Sequence, residues 1–164
     1  MIEDYIVTQM KIDSIKKYGA LDLVWQVFLE FEAPDYSEEG IQEFKNFIDL
    51  NSIEQKIDKN EMLFWGCFWG ENIVGVAATR QPCHISLLFV DQEHHRKGIG
   101  RELLSNITSF YREAGVNREM TVNSSPYAVE IYHKLGFIDT DTEQLVNGIR
   151  FTPMRYRFSN KNKN

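Results

Sequence analysis

The chain is poor in the residues that would tie it to several classes of protein. Its 164 residues include only two cysteines, Cys67 and Cys83, and their spacing suits neither a zinc site nor a disulfide scaffold. That points to a reducing compartment and to no bound metal. Four prolines and ten glycines are too few for a fibrous or low-complexity chain. Positive charge is also scarce. Eighteen Lys and Arg against 24 Asp and Glu leave a formal net charge of −6, the wrong sign for a surface that neutralises nucleic-acid phosphates. No apolar run approaches the roughly 18 to 20 residues that a membrane span requires. The N-terminal Met-Ile-Glu-Asp-Tyr carries acids where a secretory signal would carry Lys or Arg. These deficits predict a cytoplasmic globular protein with neither nucleic acid nor membrane as partner.

What is abundant is core material, 43% hydrophobic residues and 13% aromatic ones. The length suits a single domain over residues 1–158, followed by a polar tail, Ser159 to Asn164, expected to be disordered. The pattern predicts a strand at Tyr5 to Gln9, then a helix from Ser14 to Phe31 with Leu21, Val24, Trp25 and Phe28 on one face. Pro34 stops it. Ser37 reads as the N-cap of a second helix, with Glu38 and Glu39 in the first turn and an apolar stripe of Ile41, Phe44, Phe47 and Ile48. The period then changes. Met62 to Trp69 and Ile73 to Thr79 read as strands joined by a hairpin at Gly70-Glu71-Asn72, and His84 to Val90 as a third.

An amphipathic helix follows, with Ile99, Leu103, Ile107, Phe110, Tyr111 and Ala114 on its buried face and Gly115 as its cap. Glu119 to Asn123 is a short strand. Ser125-Pro126 opens a helix that ends at Gly136. Ile138 to Thr140 and Gly148 to Tyr156 are the last strands, although Pro153 cannot donate to a ladder and demands a bulge or an early end. The order β, α, α, β, β, β, α, β, α, β, β implies an α/β fold. Its sheet is mixed and its helices cover both faces.

One segment carries chemistry. After the strand ending Leu88-Phe89-Val90 come a loop and His95-Arg96-Lys97-Gly98-Ile99-Gly100-Arg101, which open the long helix. A helix start leaves backbone N–H groups without partners, and its dipole favours an anion there. Glycines admit a pyrophosphate close to the backbone, and Arg96, Lys97 and Arg101 add charge. Taken alone, a Gly-x-Gly at a helix start is more often a cap than a cofactor loop, and the basic run also suits a solvated face. A dinucleotide fingerprint fails at Leu103, where a third glycine is required. A P-loop fails for want of Gly-Lys-Ser/Thr.

These residues resemble the GCN5-related N-acetyltransferase (GNAT) family. Its acetyl-CoA motif, Gln/Arg-x-x-Gly-x-Gly/Ala, corresponds to His95 through Gly100, with His95 as the one departure. A second block, Val122-Asn123-Ser124-Ser125-Pro126 through Tyr132-His133-Lys134-Leu135-Gly136-Phe137, is similar to the family's strand, helix, Tyr and Leu-Gly-Phe ending. The resemblance implies a mostly antiparallel, twisted sheet with a splayed parallel strand pair. It also implies an enzyme that moves an acetyl group from acetyl-CoA to an amine by direct attack in a ternary complex. The acceptor would be a small-molecule or peptide amine, and a homodimer is compatible with the family. A non-catalytic acyl-CoA-binding module on the same fold is the alternative.

Individual roles follow from the resemblance. The backbone of Leu88, Phe89 and Val90 would pair with the pantetheine arm, and a backbone N–H of that strand would polarise the thioester oxygen. Tyr132 corresponds to the general acid, since a phenol and an alkyl thiol have similar proton affinities. As a bare residue it also fits a core stripe with Ala128, Ile131 and Leu135. Asn123 would hold cofactor or water, or cap the next helix. His84, eleven residues before His95, stands where some branches place a general base, though a His at a strand start also suits a structural role. Glu30, Glu32, Asp35, Glu38 and Glu39, near Trp25, Phe28 and Tyr36, form either an acidic aromatic rim that attracts a cationic amine or a solvated helix end.

Overall fold

A computed structural model describes residues 4–116 and 119–158; the expected tail lies outside them. Strand β1 (Tyr5–Met10) leads into helices α1 (Ile12–Tyr18), α2 (Ala20–Phe31), α3 (Glu38–Phe47) and α4 (Leu50–Asp58). A meander of β2 (Met62–Trp69), β3 (Asn72–Arg80) and β4 (His84–Val90) follows. Then come α5 (Ile99–Glu113), β5 (Glu119–Ser124) and α6 (Val129–Lys134). The short strands β6 (Ile138–Asp139) and β7 (Gln144–Val146) precede the long β8 (Ile149–Arg157).

The sheet order is β1-β2-β3-β4-β5-β8-β6, with β7 paired to β8. Every pairing is antiparallel except β4 with β5. The central strands β2 and β3 are buried along most of their length, as expected where both faces of a sheet are covered. On one face, Val24, Phe28 and Ile53 of the N-terminal helices pack against Phe64, Val76 and Leu87. On the other, Leu103, Ile107 and Tyr132 pack against Trp65, Ala77 and Val122.

Two irregularities in β4 shape everything that follows. The register jumps from Ala78↔Leu87 to Thr79↔Ile85, so Ser86 is an extra, bulged residue. A bulge reverses the alternation of faces. Accordingly Ile85 joins the α5 side of the core while Leu87 and Phe89 join the N-terminal side. The second irregularity is the parallel pair itself. Only His84↔Thr121 and Ile85↔Val122 are in register, and past Ile85 the two strands part. The open edge of β4 then borders a cleft.

The element order follows expectation apart from an added strand, β7, which forms a hairpin with β8, and four further local differences. The first helix is two, because Gly19 takes a left-handed conformation (φ 69°) that ends α1 and starts α2. Helix α4 was not expected. Asp49 caps it by accepting from Ser52 N at 3.2 Å, and Ile53 buries it. Helix α6 starts at Val129 rather than at Pro126, and Ser125 Oγ accepts from Ala128 N at 3.3 Å in the preceding turn.

The fourth difference is at Pro153, where β8 neither bulges nor ends. The Pro153 carbonyl accepts from Thr140 N at 2.9 Å, on the β6 side. The amide position and carbonyl of one strand residue face the same way, so the missing N–H points into the gap between β6 and β7. No bond to β5 is lost.

Candidate active site

The cleft where β4 and β5 part opens into a cavity of about 330 Å³. Tyr132, His84, Asn123, Glu32, Tyr36 and Leu88 are among the residues lining it. It therefore gathers residues from the C-terminal end of α2, from β4, β5 and α6, distant in sequence, around one space.

Strand alternation decides which backbone groups of β4 face the cleft. Asp91 N donates to Val74 O at 2.9 Å, so Asp91 and Phe89 turn their backbone groups toward β3. Leu88 and Val90 turn theirs toward the open edge. The backbone of Phe89 thus faces β3, and the residue borders the cavity itself. Its side chain is buried on the N-terminal face, 5.8 Å from the ring of Phe44. The Val90 carbonyl is already engaged, because His95 Nε2–H donates to it at 2.7 Å. The His95 ring also packs 5.2 Å from Phe31. The imidazole at the motif's first position thus pins the loop to the end of β4.

Beyond His95 the chain turns sharply. Arg96 and Gly98 both lie in the left-handed region, at φ 62° and 81°. Gly98 is the N-cap of α5 and offers no side-chain cap. The first intrahelical bond runs from Glu102 N to Gly98 O at 3.0 Å, so the N–H groups of Ile99, Gly100 and Arg101 have no partner within the helix. Ile99 is buried and anchors this turn in the core. A side chain at Gly100 would meet nothing within 4 Å. Arg96, Lys97 and Arg101 are exposed around it, and Arg101 Nη2 donates to Lys134 O at 3.3 Å, tying α5 to the end of α6. An uncapped, open, basic helix start of this kind suits a phosphorylated ligand.

Tyr132 satisfies both readings of its sequence position. It is 6% exposed within the core cluster, edge-on to Phe137 at 5.2 Å, and it also borders the cavity. Burial, then the nearby charge of Glu32, raise its proton affinity well above that of an ordinary phenol. His84 is half-buried, with Nδ1 2.8 Å from Thr121 Oγ1. Burial and the charge of Arg80 pull its pKa down to about 4, so it is neutral but weakly basic at pH 7. Asn123 is exposed to the cavity and does not cap α6. Cys83 is buried and its thiol is pushed up to about 12 by burial, which leaves no thiolate for covalent chemistry. Among the described residues no group of His, Cys, Asp and Glu could hold a metal ion. None of the described helices is long and apolar enough to cross a membrane.

Sequence reasoning missed the distinct position of Glu32. Of the acidic residues around the first helices it is the one whose carboxyl is enclosed, although the residue as a whole is half-buried. Ser125 Oγ–H donates to its Oε1 at 2.8 Å. Burial pushes its pKa up to about 7, opposed by the Ser125 hydrogen bond and assisted by the charge of Asp35. Glu32 also sits at the C-terminal end of α2, whose last turn has no basic residue, where the helix dipole disfavours a negative charge. A carboxylate at a helix end without Lys or Arg, just before Ala33-Pro34, was the available signal. The aromatics beside it divide. Tyr36 borders the cavity, while Phe28 is buried in the core with Trp25 stacked 5.5 Å away.

Comparison with known proteins agrees with this geometry. The model of the acetyltransferase (GNAT) domain matches residues 32–158, so the chain belongs to the GNAT family of acetyl-CoA-dependent acetyltransferases. No curated protein sequence matches it. Among solved structures it is similar to the PaiA N-acetyltransferase of Thermoplasma acidophilum in complex with coenzyme A. The identity is 19% and the TM-score 0.77, over 94% of this chain and 99% of that one. It is similar to a GCN5-related N-acetyltransferase of Rhodopseudomonas palustris at 19% identity and a TM-score of 0.78, over 96% and 98% of the two chains. A GNAT acetyltransferase of Staphylococcus aureus Mu50 aligns at 16% identity and a TM-score of 0.72, over 94% and 99%. At such identities the structures speak for the fold.

Proposed function

We propose that residues 1–158 form one acetyltransferase domain that moves the acetyl group of acetyl-CoA to a primary amine by direct attack in a ternary complex. The acceptor is a small-molecule or peptide amine. The observation that carries this reading is the meeting of two features at the parted strands. An uncapped basic helix start lies at one end of the open β4 edge, and a cavity holding a phenol lies beside it. When bound, acetyl-CoA supplies an activated acyl group and a thiolate leaving group.

In this reading the N–H groups of Ile99, Gly100 and Arg101 bind the diphosphate, with Arg96 and Lys97 as counter-charges and Gly98 shaping the turn. Leu88 and the Val90 N–H pair with the pantetheine arm along the open edge, and Asn123 faces it from β5. A backbone N–H near the Ser86 bulge receives the thioester oxygen as charge develops there. Tyr132 stays protonated through the physiological range and delivers its proton to the departing sulfur. The amine enters from the side of α2, α3 and His84.

The test is thiol release from acetyl-CoA on addition of a panel of primary amines, in the wild type and in Tyr132→Phe. The reading expects amine-dependent release in the wild type. In the variant, kcat should fall by about 10²-fold or more while CoA still stabilises the fold. Full turnover in Tyr132→Phe would remove the acid assignment.

A further inference from the structure

The structure assigns a further catalytic role, resting on the transferase reading above: we infer that the Glu32 carboxylate receives the acceptor's ammonium group and takes its proton. Three observations of geometry support it. The carboxyl borders the same cavity as Tyr132. One oxygen is held in place by the hydroxyl of Ser125, itself buried at the end of β5. Among the described residues no cation pairs with it. An enclosed acid without a counter-charge is costly to a fold unless it is paired, and an ammonium ion entering the cavity supplies the missing charge.

The groups that face this carboxyl come from several elements. Asp35 and Tyr36 follow it in the chain, Ser125 and Tyr127 precede α6, and Tyr132 is on α6. Arg80 and His84 line the same cavity from β3 and β4, and Glu43 from α3. His84 is the alternative base, but its depressed proton affinity and its bond to Thr121 suit it poorly to removing a proton from an ammonium ion. Glu32, poised near neutrality, suits it well.

The proton count closes. Glu32 takes one proton from the ammonium and later returns it to solvent. The neutral nitrogen attacks the acetyl carbon, the C–N bond forms, and the C–S bond breaks with its electron pair left on sulfur. Tyr132 gives its proton to that sulfur and is restored by the second proton leaving nitrogen. The third stays on the amide. Neutralising Glu32 also removes the charge that, after burial, raises the proton affinity of Tyr132, just before that proton is needed.

The experiment is the pH dependence of kcat/KM with acetyl-CoA and the fastest acceptor among phenethylamine, putrescine, lysine and a short peptide. It compares wild type, Glu32→Gln and Ser125→Ala, with CoA-induced thermal stabilisation confirming that each is folded. The wild type should lose activity below a midpoint near 7. Glu32→Gln should be at least about tenfold slower at neutral pH and recover as pH rises toward the amine's own pKa. Ser125→Ala should move the acid limb upward, since it removes the bond that favours the charged carboxylate; a merely structural Ser125 would leave that limb in place. A wild-type profile in Glu32→Gln would overturn the role of Glu32 while leaving the transferase reading intact. Absence of turnover in the wild type with every amine would overturn both.

Discussion

Gly40, in the first turn of α3, meets Gly148, in the turn between β7 and β8, backbone against backbone. A methyl group on Gly40 would collide with the Gly148 carbonyl, and one on Gly148 would collide with Ser37 Oγ, the N-cap of α3. This contact seats the last hairpin on the helix that carries Phe44, and Phe44 and Ile149 both line the same cavity as Tyr132. Gly40→Ala should therefore cost about 1–3 kcal/mol of stability, as overpacking does. It should also raise KM for the amine more than KM for acetyl-CoA. Chemical denaturation and two-substrate kinetics check the two parts, and an unchanged variant would show that the hairpin is not seated there.

Glu32 should cost the protein stability at alkaline pH. Its folded pKa, about 7, lies above the ordinary 4.5, so the folded state binds more protons and stability falls as pH rises between those values. Glu32→Gln mimics the protonated form. It should be more stable than wild type by about 2–3 kcal/mol at pH 8, with the difference vanishing below about pH 4.5. Equal stabilities at both pH values would contradict the enclosed, unpaired carboxylate.

His84 has the opposite sign. Its folded pKa of about 4 lies below the ordinary 6.5, so the folded state binds fewer protons and stability is lost as pH falls through that window. His84→Gln should flatten the acid side of the stability curve between pH 6.5 and 4. It should also leave the neutral-pH limb of kcat/KM in place, because a group that weakly basic is uncharged on both sides of it. Loss of that limb in His84→Gln would transfer the base role from Glu32 back to His84.

The sequence made most of the element order, the two-faced helix layers and the glycine turn legible, because each rests on local periodicity or on an amide-rich helix start. The position of Tyr132 beside the cavity was legible through its place before Leu135-Gly136-Phe137. Three features were not, and each depends on tertiary placement. The Ser86 bulge is invisible in a continuous apolar strand, yet it sets which backbone groups face the cleft. Pro153 looked like a strand breaker because its missing N–H was imagined inside a ladder, when it points into a gap between two short strands. Glu32 looked like one of five acids at a helix end; only the fold encloses it and brings Ser125, 93 residues away, against it.

The most direct test of the whole account is CoA binding by Gly100→Ala. The space beside Gly100 is open, so the methyl group should be accommodated, and alanine in place of glycine within a helix should stabilise the fold by up to about 1 kcal/mol. If the amides of this turn grip a diphosphate, the same methyl group stands in the ligand's way, and CoA affinity should fall at least about tenfold, the equivalent of one charge-assisted hydrogen bond. A variant that folds as stably as wild type, or more so, yet loses its thermal response to CoA is the predicted result. An unchanged CoA dissociation constant would contradict the account.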